Sequence, residues 1–65
     1  MNSITNRELT NLNAPYISGN MIDNKYKIID CINYSGTYFT YLVQILNGEN
    51  KNWTKNLIVD VDGNY

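Results

Sequence analysis

The sequence has no histidine and only one cysteine, one proline, one alanine and one arginine among its 65 residues. Each absence removes a class of function. A lone Cys31 cannot close an internal disulfide, so a secreted, disulfide-stapled scaffold is excluded. Without histidine, a zinc site built on nitrogen and sulfur has almost no ligands, and no imidazole can activate a serine, threonine or cysteine nucleophile. The carboxylates Glu8, Asp23, Asp30, Glu49, Asp60 and Asp62 offer no pair that burial would split into an acid and a base. A non-enzymatic chain without metal or cofactor is therefore expected.

An excess of either charge is also missing. Five basic residues stand against six acidic ones, for a net charge of −1, which suits neither a basic nucleic-acid clamp nor an acidic mimic of DNA. The longest apolar runs, Tyr41-Leu42-Val43 among them, fall far short of the roughly 18 residues that span a bilayer. Residues Met1 to Glu8 contain no apolar segment of the kind a signal peptide needs. A soluble, cytoplasmic protein is the expectation. The length allows one small core, and a chain of this size buries only about 60% of its unfolded surface.

What is abundant is asparagine (12), isoleucine (8) and tyrosine (6), with 4 lysines. These residues share A/T-rich codons, which points to a low-GC genome, its phages or its mobile elements. The bias also populates Asn-based motifs by chance, so the sequons Asn33-Tyr34-Ser35 and Asn52-Trp53-Thr54 carry little meaning.

Residues 1–20 read as an N-terminal arm. Thr5-Asn6-Arg7-Glu8 fits a capping box, and Ile4 and Leu9 occupy the positions of a hydrophobic staple. The pattern predicts a helix over about 6–13, ended by Ala14-Pro15. Two turns are unstable alone, so this helix either docks or frays. Residues 21–65 read as a small β domain. Tyr26 to Ile32 is rich in β-formers but lacks clean alternation, as in a bent strand serving two faces. Phe39, Tyr41, Val43 and Ile45 then share one parity, and Trp53, Leu57, Val59 and Val61 share another. Asn47-Gly48 is a hairpin signal inside a polar stretch that also accommodates a longer loop. The fold expected is mainly β: a three-stranded antiparallel meander curled into a small SH3-like barrel. Its expected core is Ile28, Phe39, Tyr41, Val43, Ile45, Trp53, Leu57 and Val59. The apolar face of such a sheet must be covered by the helix, by curling or by a second copy.

Two motifs fall short of the chemistry they suggest. Asp60-Val61-Asp62-Gly63-Asn64 matches the first positions of a calcium loop, but Tyr65 replaces the required glycine. Ser35-Gly36-Thr37 faintly echoes a phosphate-binding loop but has one glycine where several are needed. Cys31 reads as a half-buried small hydrophobe of the first strand.

Tyrosine and tryptophan are enriched at binding hot spots. Tyr34 and Tyr38, off the parity of the core set, and Tyr26, at the head of its strand, are the candidate recognition residues, with Lys27 and Lys51 beside them. Tyr26-Lys27-Ile28-Ile29-Asp30, Tyr41-Leu42-Val43-Gln44, Asn47-Gly48 and Asn50-Lys51-Asn52-Trp53 follow in an order that resembles a chromodomain, closest to the chromo-barrel type, over residues 25–58. The resemblance implies a bent sheet that binds histone tails or RNA, with Tyr26 at the first position of an aromatic cage for methyl-lysine. The later cage positions are not matched, since Ile45, Gly48 or Glu49 stand there. The leading expectation is thus a protein-binding module acting as a small regulator or inhibitor. The alternatives are a chromo-like reader, with Tyr34 and Tyr38 on bases and lysines on phosphate, and a structural subunit that completes its core by oligomerising.

Overall fold

A computed structural model describes residues 3–65. A short helix α1 (Asn6–Asn11) precedes four strands, β1 (Met21–Ile22), β2 (Tyr26–Tyr34), β3 (Tyr38–Ile45) and β4 (Thr54–Asp60). The strands form one antiparallel sheet in the order β1-β2-β3-β4, curled into a half-barrel. The sheet therefore has four strands where the residue pattern predicts three. The additional strand, β1, is two residues long, too short to display a period. Its turn to β2 carries Asp23 and Asn24 at φ 52° and 55°, closed by the Lys25 N–H on the Ile22 carbonyl at 2.8 Å. Two successive left-handed residues match the right-handed twist of the flanking strands, and Asp and Asn tolerate that region best after glycine.

The bend of β2 has a defined origin. Its register against β3 pairs Ile28 with Val43, Cys31 with Tyr41 and Tyr34 with Phe39, with irregularities between Ile28 and Asp30 and between Cys31 and Asn33. Each bulge adds one residue to β2. The side chains that share the inner face therefore recur every third residue, at 28, 31 and 34, instead of every second. β3 and β4 alternate regularly, so Phe39, Tyr41, Val43, Leu57 and Val59 fall on that same face and are buried.

Two core assignments from the sequence are corrected. Trp53 is 65% exposed and lies before β4, and Ile45 is only half-buried. Where β3 meets the loop, Ile45 donates to the Trp53 carbonyl and accepts from the Asn52 N–H, at 2.8 and 2.7 Å, while Asn52 sits at φ 73°. Two residues thus oppose one, the regular pairing of β4 begins only at Thr54, and Trp53 lies past the covered end of the sheet. The connection is the longer loop rather than a two-residue Asn-Gly hairpin. Cys31 is fully rather than half-buried.

The N-terminal segment closes the inner face. Thr5 caps α1 by accepting from the Glu8 N–H at 3.2 Å, and its hydroxyl lies 3.0 Å from the Glu8 carboxylate. Leu9 projects from the helix into the core with 0% exposure and joins the buried cluster that holds Ile22, Ile28 and Cys31. Ile4, Ala14 and Tyr16 pack against the same cluster. The Ile4 N–H donates to the Cys31 carbonyl at 2.7 Å, adding an isolated bridge to β2. Gly19 and Asn20 continue along β2 through hydrogen bonds of 2.8 Å with Ile28. No helix is long and apolar enough to cross a membrane among the described residues.

Leu9→Ala should cost about 2–5 kcal/mol of unfolding free energy, because a buried leucine leaves a cavity. Leu12→Ala, one turn on and exposed, should cost under about 1 kcal/mol. Urea titration of the two variants measures the difference directly.

Candidate recognition surface

The sheet has two unequal faces. The inner face carries Tyr26, Ile28, Cys31 and Tyr34 from β2 and is filled by the core. The outer face carries Lys27, Asp30 and Asn33 from β2, Tyr38, Thr40, Leu42 and Gln44 from β3, and Thr54, Asn56, Ile58 and Asp60 from β4. The five candidate residues are therefore not brought together. Tyr34 lies on the inner side, stacked on Phe39 with ring centroids 4.4 Å apart, and its hydroxyl donates to the Gly36 carbonyl. Counting parity across the turn groups it with Tyr38, but within β2 it shares the parity of Ile28, and the two bulges together return it to that inner face. Tyr26 is also on the inner side, at its open end. Tyr65 packs edge-on against it at 5.9 Å, and the Lys55 ammonium sits 5.3 Å from its ring centroid. The chain's own lysine thus holds the cation–π position of Tyr26. Lys27 is exposed on the outer face, and Lys51 is exposed in the β3–β4 loop.

Tyr38 alone of the candidate tyrosines stands on the outer face, 51% exposed. Its backbone is set by the turn: the Ser35 hydroxyl accepts from its N–H at 3.1 Å, and Gly36 takes the left-handed φ of 94°. Thr40 pairs with Ile58, so Tyr38 and Ile58 are diagonal neighbours on this face. Ile58 is 60% exposed. The residue pattern gives no notice of it, because it shares its parity with Thr54, Asn56 and Asp60 and looks like a polar-face position. The exposure of Trp53 is missed for a different reason: it keeps the core parity but stands past the covered end of the sheet, next to the bulge at Asn52.

Tyr41 ties the arm to the sheet. Its buried hydroxyl donates to the Tyr16 carbonyl at 2.6 Å and accepts the Tyr16 N–H at 3.2 Å. Burial pushes its pKa up to about 12. Tyr65 is likewise raised to about 12, chiefly by the hydrogen bond its hydroxyl gives the Asp23 carboxylate. Burial raises the Cys31 thiol, which donates to the Asn33 carbonyl, so this cysteine packs instead of reacting. Asp60, from the calcium-like stretch, accepts the N–H groups of Asp62 and Asn64 at 2.9 and 3.0 Å. Those donors lower its pKa and make it the anchor of a turn. No three histidine, cysteine or carboxylate side chains gather as a metal site, and no concave pocket opens, among the described residues. Comparisons with protein-family models, with curated proteins and with solved structures find no match to this chain.

A folded-state tyrosine pKa raised above its unfolded value of 10.0 gives stability that is complete below pH 10 and lost as pH rises through about 12. The protein should accordingly lose stability across that window. Tyr41→Phe should flatten the loss, leaving the Tyr65 part. At neutral pH the same substitution should cost about 1–3 kcal/mol, because it strands both polar groups of Tyr16. Chemical denaturation at a series of pH values checks both statements.

Proposed function

We propose that this chain is a non-enzymatic binding module that docks on another protein and regulates or inhibits it, encoded by a phage or mobile element of a low-GC host. The observation that carries this reading is the pair Tyr38 and Ile58, side by side and solvent-exposed on a face the core does not use. A rigid amphipathic ring beside a branched aliphatic chain is the composition of a protein-binding hot spot. Half-buried Thr40 and Leu42 extend the patch, and Lys27, Asp30 and Asn56 frame it with polar groups, the arrangement of an apolar centre and a polar rim. An SH3-like, chromo-like architecture belongs to the same reading. The curled half-barrel and the resemblance over residues 25–58 support it.

The test is affinity capture from lysate of the encoding host, using the wild-type chain and a Tyr38→Ala, Ile58→Ser variant. Both substitutions are at exposed positions and should leave the fold intact. One host protein should be retained by the wild type and lost from the variant, and its affinity for Tyr38→Ala alone should fall by about 2 kcal/mol. Identical captures by the two proteins would remove the basis of the proposal.

A further inference from the structure

Three contacts converge on the turn between β1 and β2. The Leu46 N–H donates to the Lys25 carbonyl at 2.8 Å. The Asn47 side-chain amide donates through Nδ2 to the Asn24 carbonyl. The Tyr65 hydroxyl donates to the Asp23 carboxylate. Their targets are consecutive residues, and two of them, Asp23 and Asn24, hold the left-handed conformation. Asn47 is thus the side chain through which the β3–β4 loop grips this turn.

Asn47 is also the only one of the 12 asparagines that is followed by glycine. That pair has a chemistry of its own. The backbone nitrogen of the following residue can attack the asparagine Cγ, and only glycine leaves that nitrogen uncrowded by a β-carbon. The loop supplies the other conditions. Asn47 and Gly48 are both exposed and lie outside the strands. Gly48 sits at φ 86°, with nothing within 4 Å of the place a Cβ would take. Its carbonyl accepts the Lys51 N–H at 3.2 Å, while its own N–H has no hydrogen-bond partner among the described residues. Asp62-Gly63, the other pair able to close such a ring, differs here. The Gly63 N–H is held by the Asp60 carbonyl at 3.0 Å, and the Tyr16 hydroxyl lies 3.1 Å from the Cβ position of Gly63.

We propose that Asn47 is a modification site at which the native chain deamidates spontaneously, and that the product frees the β1–β2 turn. The Gly48 nitrogen bonds to Asn47 Cγ and gives up its proton, and the side-chain nitrogen leaves as ammonia, which closes a succinimide. Water opens that ring at one carbonyl or the other, leaving aspartate or isoaspartate. Water is the sole co-reactant and ammonia the sole leaving group. The new carboxylate is an acceptor only. It cannot donate to the Asn24 carbonyl, and it adds a negative charge beside that oxygen. In isoaspartate the main chain is also longer by one methylene. The Tyr38 and Ile58 patch takes no part in this chemistry, so the two proposals stand or fall separately.

Peptide mass spectrometry of the full chain, aged at neutral pH with and without urea, tests the site. The native chain should replace NH2 by OH at Asn47 ahead of every other asparagine of the described residues. Asn47→Gln should show no such change at that position, because its longer side chain closes the ring slowly. Asn47→Asp carries one product from the start. Its Leu46 and Lys25 amides should exchange with solvent about fivefold faster than in the wild type, the scale of one lost hydrogen bond. A native chain that keeps the Asn47 amide while the urea-unfolded chain is fully converted overturns the site. Unchanged exchange at Leu46 and Lys25 in Asn47→Asp overturns the release of the turn.

Discussion

Everything in this protein depends on how one curled sheet covers its inner face. Four strands in a single layer expose as much apolar surface as they hide, and a chain of 65 residues has little left with which to build a second layer. The cover is the N-terminal segment, and its central contact is Leu9. A six-residue helix has no stability of its own. It is held by its Thr5 cap, by the Ile4–Cys31 bridge on one side and by the Tyr41 hydroxyl on Tyr16 on the other. The segment is thus fastened before and after Leu9, which fixes where that side chain enters.

The same constraint divides the tyrosines by role. Tyr41 and Tyr34 complete a core too narrow to be filled by leucine and valine alone, with Phe39 stacked between them. Tyr26 and Tyr65 close the open end of the half-barrel with Lys55. Tyr38 is left over, on the outer face, next to Ile58. What the core did not consume is thus one exposed patch on the outer face, Tyr38 with Ile58.

Much of this was legible in the residues. The strict alternation of Phe39 to Ile45 and of Leu57 to Val59 marks two strands and their buried parity, and Ile4-Thr5-x-x-Glu8-Leu9 marks the helix start and its anchor. What was not legible follows from single residues that break a period. The two bulges of β2 convert a period of two into three, so Cys31 reaches the inner face against its parity, and Tyr34, past the second bulge, returns to the face of Ile28. Trp53 keeps the parity of Leu57 but stands past the covered end of the sheet, beside the left-handed Asn52. β1 is too short to have a pattern at all. In a chain with 12 asparagines, no sequence rule says which of them will take a left-handed φ, and here Asn13, Asn24 and Asn52 do. The proposed recognition patch was only half visible, because Tyr38 is an enriched residue type while Ile58 is hidden among polar neighbours.

The central claim is that the N-terminal segment is an integral layer of the fold. Native-state hydrogen exchange measures this most directly. The amide of Ile4, bonded to β2, and that of Ala14, bonded to the Leu9 carbonyl at 2.9 Å, should exchange with the free energy of global unfolding, matching Tyr41 and Val43 in the central strand. Exchange of Ile4 and Ala14 through a low-energy opening, while the sheet amides stay fully protected, would contradict the account.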